Sequence, residues 1–317
     1  MKKALILGGS GFVGGYLARE LRANGYELTM TASGSVPAPE DYRWLRLDIL
    51  DAEAVREAVS AERYDAVFHL AAQSSAALSW KKPELTMNVN VQGTLHVLEA
   101  LRGLSSAPRL LVVGSSEEYG SVKPEECPIR EEQPCHPGNP YALSKHCAEE
   151  LALLYASAYG LDVICTRSFN HVGPGQAQGF VLSDFCRQIV LLEQSGQEGE
   201  MSVGNLSARR DFTDVRDVVR AYRLLAEQGR SGQVYNVGSG KAVSIRELLE
   251  ELLSMAAVPI RAETDPAKLR PIDVPLHMAD ITKLTADTHW RPEIPLRETL
   301  RCTLDDFRRQ LKGEAYA

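Results

Sequence analysis

Through the first half of the chain, short unbroken apolar runs alternate with longer stretches whose apolar positions recur every three or four residues. Ala4–Leu7 is one such run, "AVFHLAA" at Ala66–Ala72 is a second, and a third ends in "VVG" at Val112–Gly114. "DVICTRS" and "VYNVGS" follow further along, and helix-period segments such as "FVGGYLARELRANG" and "VQGTLHVLEALRG" lie among them. β-rich runs without polar alternation are strands covered on both faces, and helices interleaved with them imply a parallel sheet. Near residue 171 the pattern changes, with loop-like "HVGPGQAQGF" followed by helical segments and proline-containing loops. The pattern predicts an α/β protein with two parts. Residues 1–170 form a parallel sheet with helices on both faces, and residues 171–317 are mainly a smaller α/β domain. The chain returns to the first part near 211–237, where "DFTDVRDVVRAYRLL" and "VYNVGS" supply one more helix and strand.

Composition narrows the class. The 317 residues are 44% hydrophobic and 24% charged with a net charge of −7, which suits a globular protein and gives no basic stripe for nucleic acid. The apolar run at the N-terminus is too short for a secretory core, and no stretch approaches the ~18 apolar residues of a membrane span. Six scattered cysteines without a CxxC read as reduced thiols, neither a disulfide frame nor a zinc site. The expectation is a cytoplasmic protein with no metal, no membrane partner and no nucleic acid.

Gly8, Gly11 and Gly14 stand between an apolar strand and a helical pattern as G-x-x-G-x-x-G. Glycines there let the backbone turn and approach a pyrophosphate, while the free N–H groups of the helix start face the phosphates. This is the signature of a Rossmann-type dinucleotide site. Phe12 and Val13 lie within the loop's reach. The next strand, "YELTMTAS", ends in Thr31-Ala32-Ser33-Gly34 with no acid before Glu40. An acid at Ser33 would repel a 2′-phosphate, so its absence favours NADP(H), with NAD(H) still possible. Asp48, before Ile49, either meets an adenine amino group or is a surface aspartate.

In "PGNPYALSK", Asn139 suits an N-cap and Pro140 the first helical position, with Gly160 as the stop. Leu143, Cys147, Leu151 and Leu154 supply an apolar stripe. Tyr141 and Lys145 then share a face one turn apart. A phenol with a pKa near 10 exchanges protons poorly at neutral pH, and a nearby ammonium lowers it. Upstream, "VVGSSEEYG" sets Ser115 and Ser116 at a strand end, where open α/β sheets bind ligands.

Taken together, the glycine loop, "DIL" at Asp48, "HLAAQSS", "NVQGT", "SSEEYG", "YALSK", "RSFNHVGPGQ", "RRDFTDVRD", "VYNVGSG" and "RPIDVP" resemble the extended short-chain dehydrogenase/reductases that act on nucleotide-sugars. The resemblance implies Ser115, Tyr141 and Lys145 as the catalytic set. Leu70, Ala71, Ala72, Asn90 and Arg167 would lie near the cofactor. Ser116, Asn170, Arg210, Arg270 and Asp273 would hold the nucleotide-sugar, making the C-terminal part a substrate domain. It also implies a two-fold homodimer through the helices at 140–159 and about 93–101. Within the group, the likeness points to reduction of the C4 ketone of a GDP-linked 4-keto-6-deoxy sugar. Val172-Gly-Pro-Gly-Gln stands where GDP-mannose dehydratases carry an arginine-rich stretch. Glu117 keeps an acid where dehydratases place a base, so a dehydratase or C4 epimerase stays open. A non-catalytic dinucleotide sensor is a further alternative, although such a sensor would be expected to have lost Tyr141.

Overall fold

β1 (Lys2–Leu7) is fully buried from Ala4 onward because both of its faces are covered. Ala4 and Ile6 pack into one apolar cluster with Leu17, Met30, Phe68 and Tyr222, while Leu5 and Leu7 pack into another with Val67, Val97 and Leu98. The computed structural model describes residues 1–34, 42–268 and 274–313. Five more strands join β1 in chain order: β2 (Tyr26–Ala32), β3 (Arg43–Arg46), β4 (Ala66–His69), β5 (Arg109–Ser115) and β6 (Val163–Ser168). The sheet runs β6-β5-β4-β1-β2-β3, with Gln233–Val237 added outside β6, and all its pairings are parallel. The chain leaves β1 in one direction through β2 and β3, then crosses back to β4. The strand order therefore reverses beside β1, and a crevice opens there at the carboxyl ends.

The late return is made by the Val215–Gln228 helix, which packs against the Phe12–Ala23 helix, and by Gln233–Val237 beside β6. Trp290, fully buried, ties the far end of the chain to this helix through its indole N–H, 3.0 Å from the Asp217 carbonyl. A separate apolar cluster joins the helices Val181–Ser195, Ile245–Leu253 and Leu296–Leu311. Its central strand, Arg209–Asp214, pairs with Asn170–Val172, Ala242–Ser244 and Leu276–His277.

The Pro140–Tyr159 helix turns mainly small and polar side chains toward the sheet. Its buried face is Ala142, Ser144, Lys145, Ala148, Glu149 and Ala152. Of Leu143, Cys147, Leu151 and Leu154, only Leu151 packs against the apolar core, while Leu143 and Leu154 are exposed. Small side chains let this helix lie close to the sheet, and its buried polar groups are met by partners beneath it. Leucine spacing marked the helix without marking its inner face.

Candidate active site

The glycine loop is held by contacts that leave no room for side chains. Gly8 has φ +82°, and a Cβ there would lie 2.6 Å from the Ala71 nitrogen. A Cβ on Gly14 would lie 2.2 Å from the Gly9 carbonyl oxygen. Gly11 is the N-cap of the Phe12–Ala23 helix and supplies no side-chain cap, so the first helical N–H groups face the crevice unsatisfied by any capping side chain. The Gly8 N–H donates to Thr31 Oγ1 at 3.1 Å, and Leu70 N–H to the Leu7 carbonyl at 2.9 Å. These contacts bring the ends of β1, β2 and β4 together. Ser33 stands exposed just beyond β2, Ala71 and Ala72 are half-buried just beyond β4, and Val13 packs on the core. Phe12 stacks on the His171 ring at 6.1 Å between centroids. A backbone cradle with an uncapped helix start fits a dinucleotide pyrophosphate.

Two strands from β1, β5 ends at Ser115, whose hydroxyl accepts from the Glu117 N–H at 3.2 Å. Across from it Asn139 caps the Pro140–Tyr159 helix, its Oδ1 accepting from Ala142 N–H at 2.8 Å. Its amide also donates to Glu117 Oε2 at 2.8 Å, so the exposed Glu117 carboxylate is tied to the helix that carries Tyr141. Burial pushes the Tyr141 phenol up, and its hydrogen bond with Ser115 opposes that rise. Lys145 is buried and donates from Nζ to the Val113 carbonyl at 2.7 Å. Burial brings its ammonium down to about 8 despite the opposing charge of Glu118. The lowering of the phenol by Lys145 that the spacing suggested does not appear: burial dominates, and the ammonium is engaged with β5.

The sequence pattern of the GDP-mannose 4,6 dehydratase family matches residues 5–303. The chain belongs to this family. It is 36% identical to GDP-6-deoxy-D-mannose reductase from Pseudomonas aeruginosa, over 99% of both chains. It is 28% identical to GDP-mannose 4,6-dehydratase from Yersinia enterocolitica, over 94% of this chain and 91% of that one. Among solved structures, RMD from Pseudomonas aeruginosa complexed with NADPH superposes with a TM-score of 0.88 at 35% identity, covering 98% of this chain and 100% of that one. UDP-glucose 4-epimerase from Thermus thermophilus in complex with NAD gives 0.84 at 30% identity, covering 96% and 99%. The family is thus part of the extended short-chain dehydrogenase/reductase group, and its Rossmann-type sheet is the one described above.

Within the family frame, several residues expected at the site have other partners. Asn90 is buried; its Oδ1 accepts from Gln73 N–H at 2.8 Å, and its Nδ2 donates to the Gln73 carbonyl and to Ser144 Oγ. It straps the segment after β4 to the Pro140–Tyr159 helix. Arg167, expected beside the cofactor, is buried with its fork on Glu149 and its Nη1 on the Glu131 carbonyl. Ile49 is buried against Gly93, Ser116 is buried under the Ser116–Tyr119 turn, and Asp48 is exposed and accepts from Leu50 N–H at 3.0 Å. Asn170 is exposed, and Arg210 donates to the Val274 carbonyl at 2.6 Å. Arg270 and Asp273 lie outside the described residues. The sequence reading missed a cleft of about 310 Å³ lined by Gln178, Asp184, Arg187, Gln188 and Lys268. Its two cations come from segments 81 residues apart (268 − 187), and no local spacing announces them.

Proposed function

We propose that this protein is an NADPH-dependent reductase that converts the C4 ketone of GDP-4-keto-6-deoxy-D-mannose to the alcohol of GDP-D-rhamnose. The observation that carries the reading is the identity with GDP-6-deoxy-D-mannose reductase over 99% of both chains. The serine, tyrosine and lysine at the β5 end add the chemistry. The glycine loop would hold the cofactor pyrophosphate, and the acid-free end of β2 leaves room for a 2′-phosphate. When bound, the reduced nicotinamide supplies hydride to the carbonyl carbon. Ser115 orients the carbonyl oxygen and Tyr141 gives it the proton as general acid. Burial keeps that phenol protonated before turnover, the state a reductase needs. Lys145, still protonated at pH 7, places positive charge beside the phenolate that forms. Residues 1–170 with 211–237 would form the dinucleotide part. The remainder of 171–317 would hold the GDP-sugar, where Arg210, Arg187 and Lys268 suit a diphosphate. The free thiols accord with a cytoplasmic setting.

One observation favours a second reading, a 4,6-dehydratase: Glu117 sits two residues beyond the catalytic serine, tied to Asn139. The decisive assay supplies GDP-mannose with NADP, and separately the 4-keto-6-deoxy sugar with NADPH, to wild type and Glu117→Gln. NADPH oxidation that survives Glu117→Gln supports the reductase. Water elimination from GDP-mannose, lost in Glu117→Gln, overturns it.

For assembly, the reading is a two-fold homodimer through the Gly93–Arg102 and Pro140–Tyr159 helices. It is supported by exposed Leu143, Leu154 and Tyr159 on the outer face of the latter. Light scattering that gives a monomer at micromolar concentration would count against it.

A further inference from the structure

Beneath the β5 end lies a group of buried charges that the reaction described above does not use. Glu118 and Glu149 are both enclosed, and the guanidinium of Arg167 stands beside both. Arg167 grips Glu149 with both arms, Nε to Oε2 at 3.0 Å and Nη2 to Oε1 at 2.5 Å, and stands 3.9 Å from Glu118 Oε2. Glu118 folds back so that its Oε1 accepts the Ser115 backbone N–H at 2.7 Å. Gly114 permits this, since a Cβ there would lie 2.5 Å from that same oxygen. The other oxygen, Oε2, is buried without a hydrogen-bond donor, and His146 Nδ1 faces it at 3.7 Å. His146 Nδ1 is also 4.0 Å from Glu149 Oε1. A carboxylate oxygen held in a low-dielectric interior with no donor of its own is strongly disfavoured, and the Lys145 ammonium, although it feels the charge of Glu118, is spent on the Val113 carbonyl.

We propose that a proton on His146 completes this cluster, and that the His146–Glu118 pair positions the catalytic serine from behind. With the imidazolium on Oε2, the carboxylate stays on the Ser115 N–H, and the hydroxyl keeps its aim at the substrate carbonyl. The proposal rests on the reductase reading for its kinetic consequence, though not for the pair itself. His146 is one residue past Lys145, so the pair also links the catalytic helix to the catalytic strand end. Burial and the charge of Glu118 push the Glu149 carboxyl up against the fork of Arg167, so Glu149 is the competing site for the extra proton, and the titration of His146 itself decides between the two.

The groups facing His146 come from four places: Glu118 from the turn after β5, Glu149 and Glu150 from its own helix, Arg167 from β6, and Cys135 from the loop that packs over Gly120. Glu118 raises the imidazole above its ordinary range, against the lowering effect of burial. The sign follows: the pair is complete below the raised pKa and is lost as pH climbs through it. Glu118, Cys135 and His146 also offer ligand atoms within 4.8 Å of one another. A divalent cation there would sit against the Arg167 guanidinium; a proton supplies the missing charge without that repulsion.

Two variants and two readouts test this. The pH dependence of kcat for keto-sugar reduction would be measured for wild type and His146→Gln from pH 6 to 9, with NADPH Kd alongside. The variant should be about tenfold slower at pH 6 with its NADPH Kd unchanged. The gap should close to within about twofold at pH 9, because wild type has lost the same proton. Titration of Lys145 or Tyr141 affects both enzymes and cancels in the ratio. A gap that stays constant with pH, or no gap, would overturn the proposal. The second readout is the NMR titration of His146, which should lie above the ordinary imidazole range in wild type and fall in Glu118→Gln. An unchanged titration would overturn the pair outright. Because the NMR readout needs no turnover, failure of the reductase reading would leave it intact. Chelator-treated enzyme should behave like untreated enzyme; disappearance of the gap on chelation would replace the proton with a metal.

Discussion

The two ends of the crevice are made of different materials. Beside β1 the site is backbone and absence: a left-handed glycine, two positions where a Cβ would collide, and a helix start without a capping side chain. Beside β5 it is side chains, several of them buried and titratable: Ser115, Tyr141 and Lys145 in front, Glu118, His146 and Arg167 behind. Backbone donors carry no proton that titrates near neutrality, so the first end should be indifferent to pH and intolerant of volume. The second should tolerate small changes in volume and respond sharply to charge. The contrast suits the labour assigned to each end, since a pyrophosphate needs only holding while a ketone needs a timed proton.

The sharpest way to separate the two ends is Tyr141→Phe. Losing the proposed general acid should lower kcat by about 10²–10⁴-fold, with NADPH binding retained in a fluorescence titration. Equal loss of cofactor binding would mean the ends are not separable. Gly14→Ala should do the reverse. Its Cβ, 2.2 Å from the Gly9 oxygen, forces the loop apart; it should cost about 1–3 kcal/mol in a denaturation curve and weaken NADPH binding at every pH from 6 to 9.

Lys145→Met probes the charged end through stability. The buried lysine has its pKa lowered from 10.5 to about 8, so at pH 7 the folded state carries a charge it disfavours. Removing that charge should stabilise the protein by about 1–2 kcal/mol at pH 7 after the lost bond to Val113 is set against it. Between pH 8 and 10.5 wild type sheds the proton in the folded state only and gains stability, so the advantage should shrink there. An advantage independent of pH would exclude this cause. The smallest effect belongs to Ser33→Asp, which should move the NADPH-to-NADH preference by about tenfold toward NADH. No change in the ratio of dissociation constants would show that the end of β2 does not meet the 2′ position.

What the sequence revealed was local. The glycine spacing, the Asn139–Pro140 helix start and the four-residue step from Tyr141 to Lys145 each depend on neighbours within one or two turns. The buried apolar runs likewise announce a parallel sheet without help from the rest of the chain. What it hid depends on distance. Nothing in the spacing of His146 and Glu149 announces that they turn toward Arg167 and Glu118, which arrive from β6 and the turn after β5. The resemblance placed Arg167 near the cofactor, and its pairing with Glu149, 18 residues back along the chain, has no local signal. The apolar stripe at 143–154 did not say which side of its helix meets the sheet: Leu143 and Leu154 face outward, and alanines and Ser144 lie inward.

The strand Gln233–Val237 completes the sheet outside β6, with Gly232 N–H reaching the Val163 carbonyl at 2.7 Å. During synthesis the chain emerges from its N-terminus, and some 65 residues separate β6 from this strand (233 − 168). Until it arrives, β6 is an open edge with unpaired N–H and C=O groups, a template for pairing with the wrong chain. A gene fragment ending near residue 170 would make that condition permanent. Excising the dinucleotide part for transplantation would therefore require splicing the returning helix and strand directly onto β6, rather than simply cutting the chain.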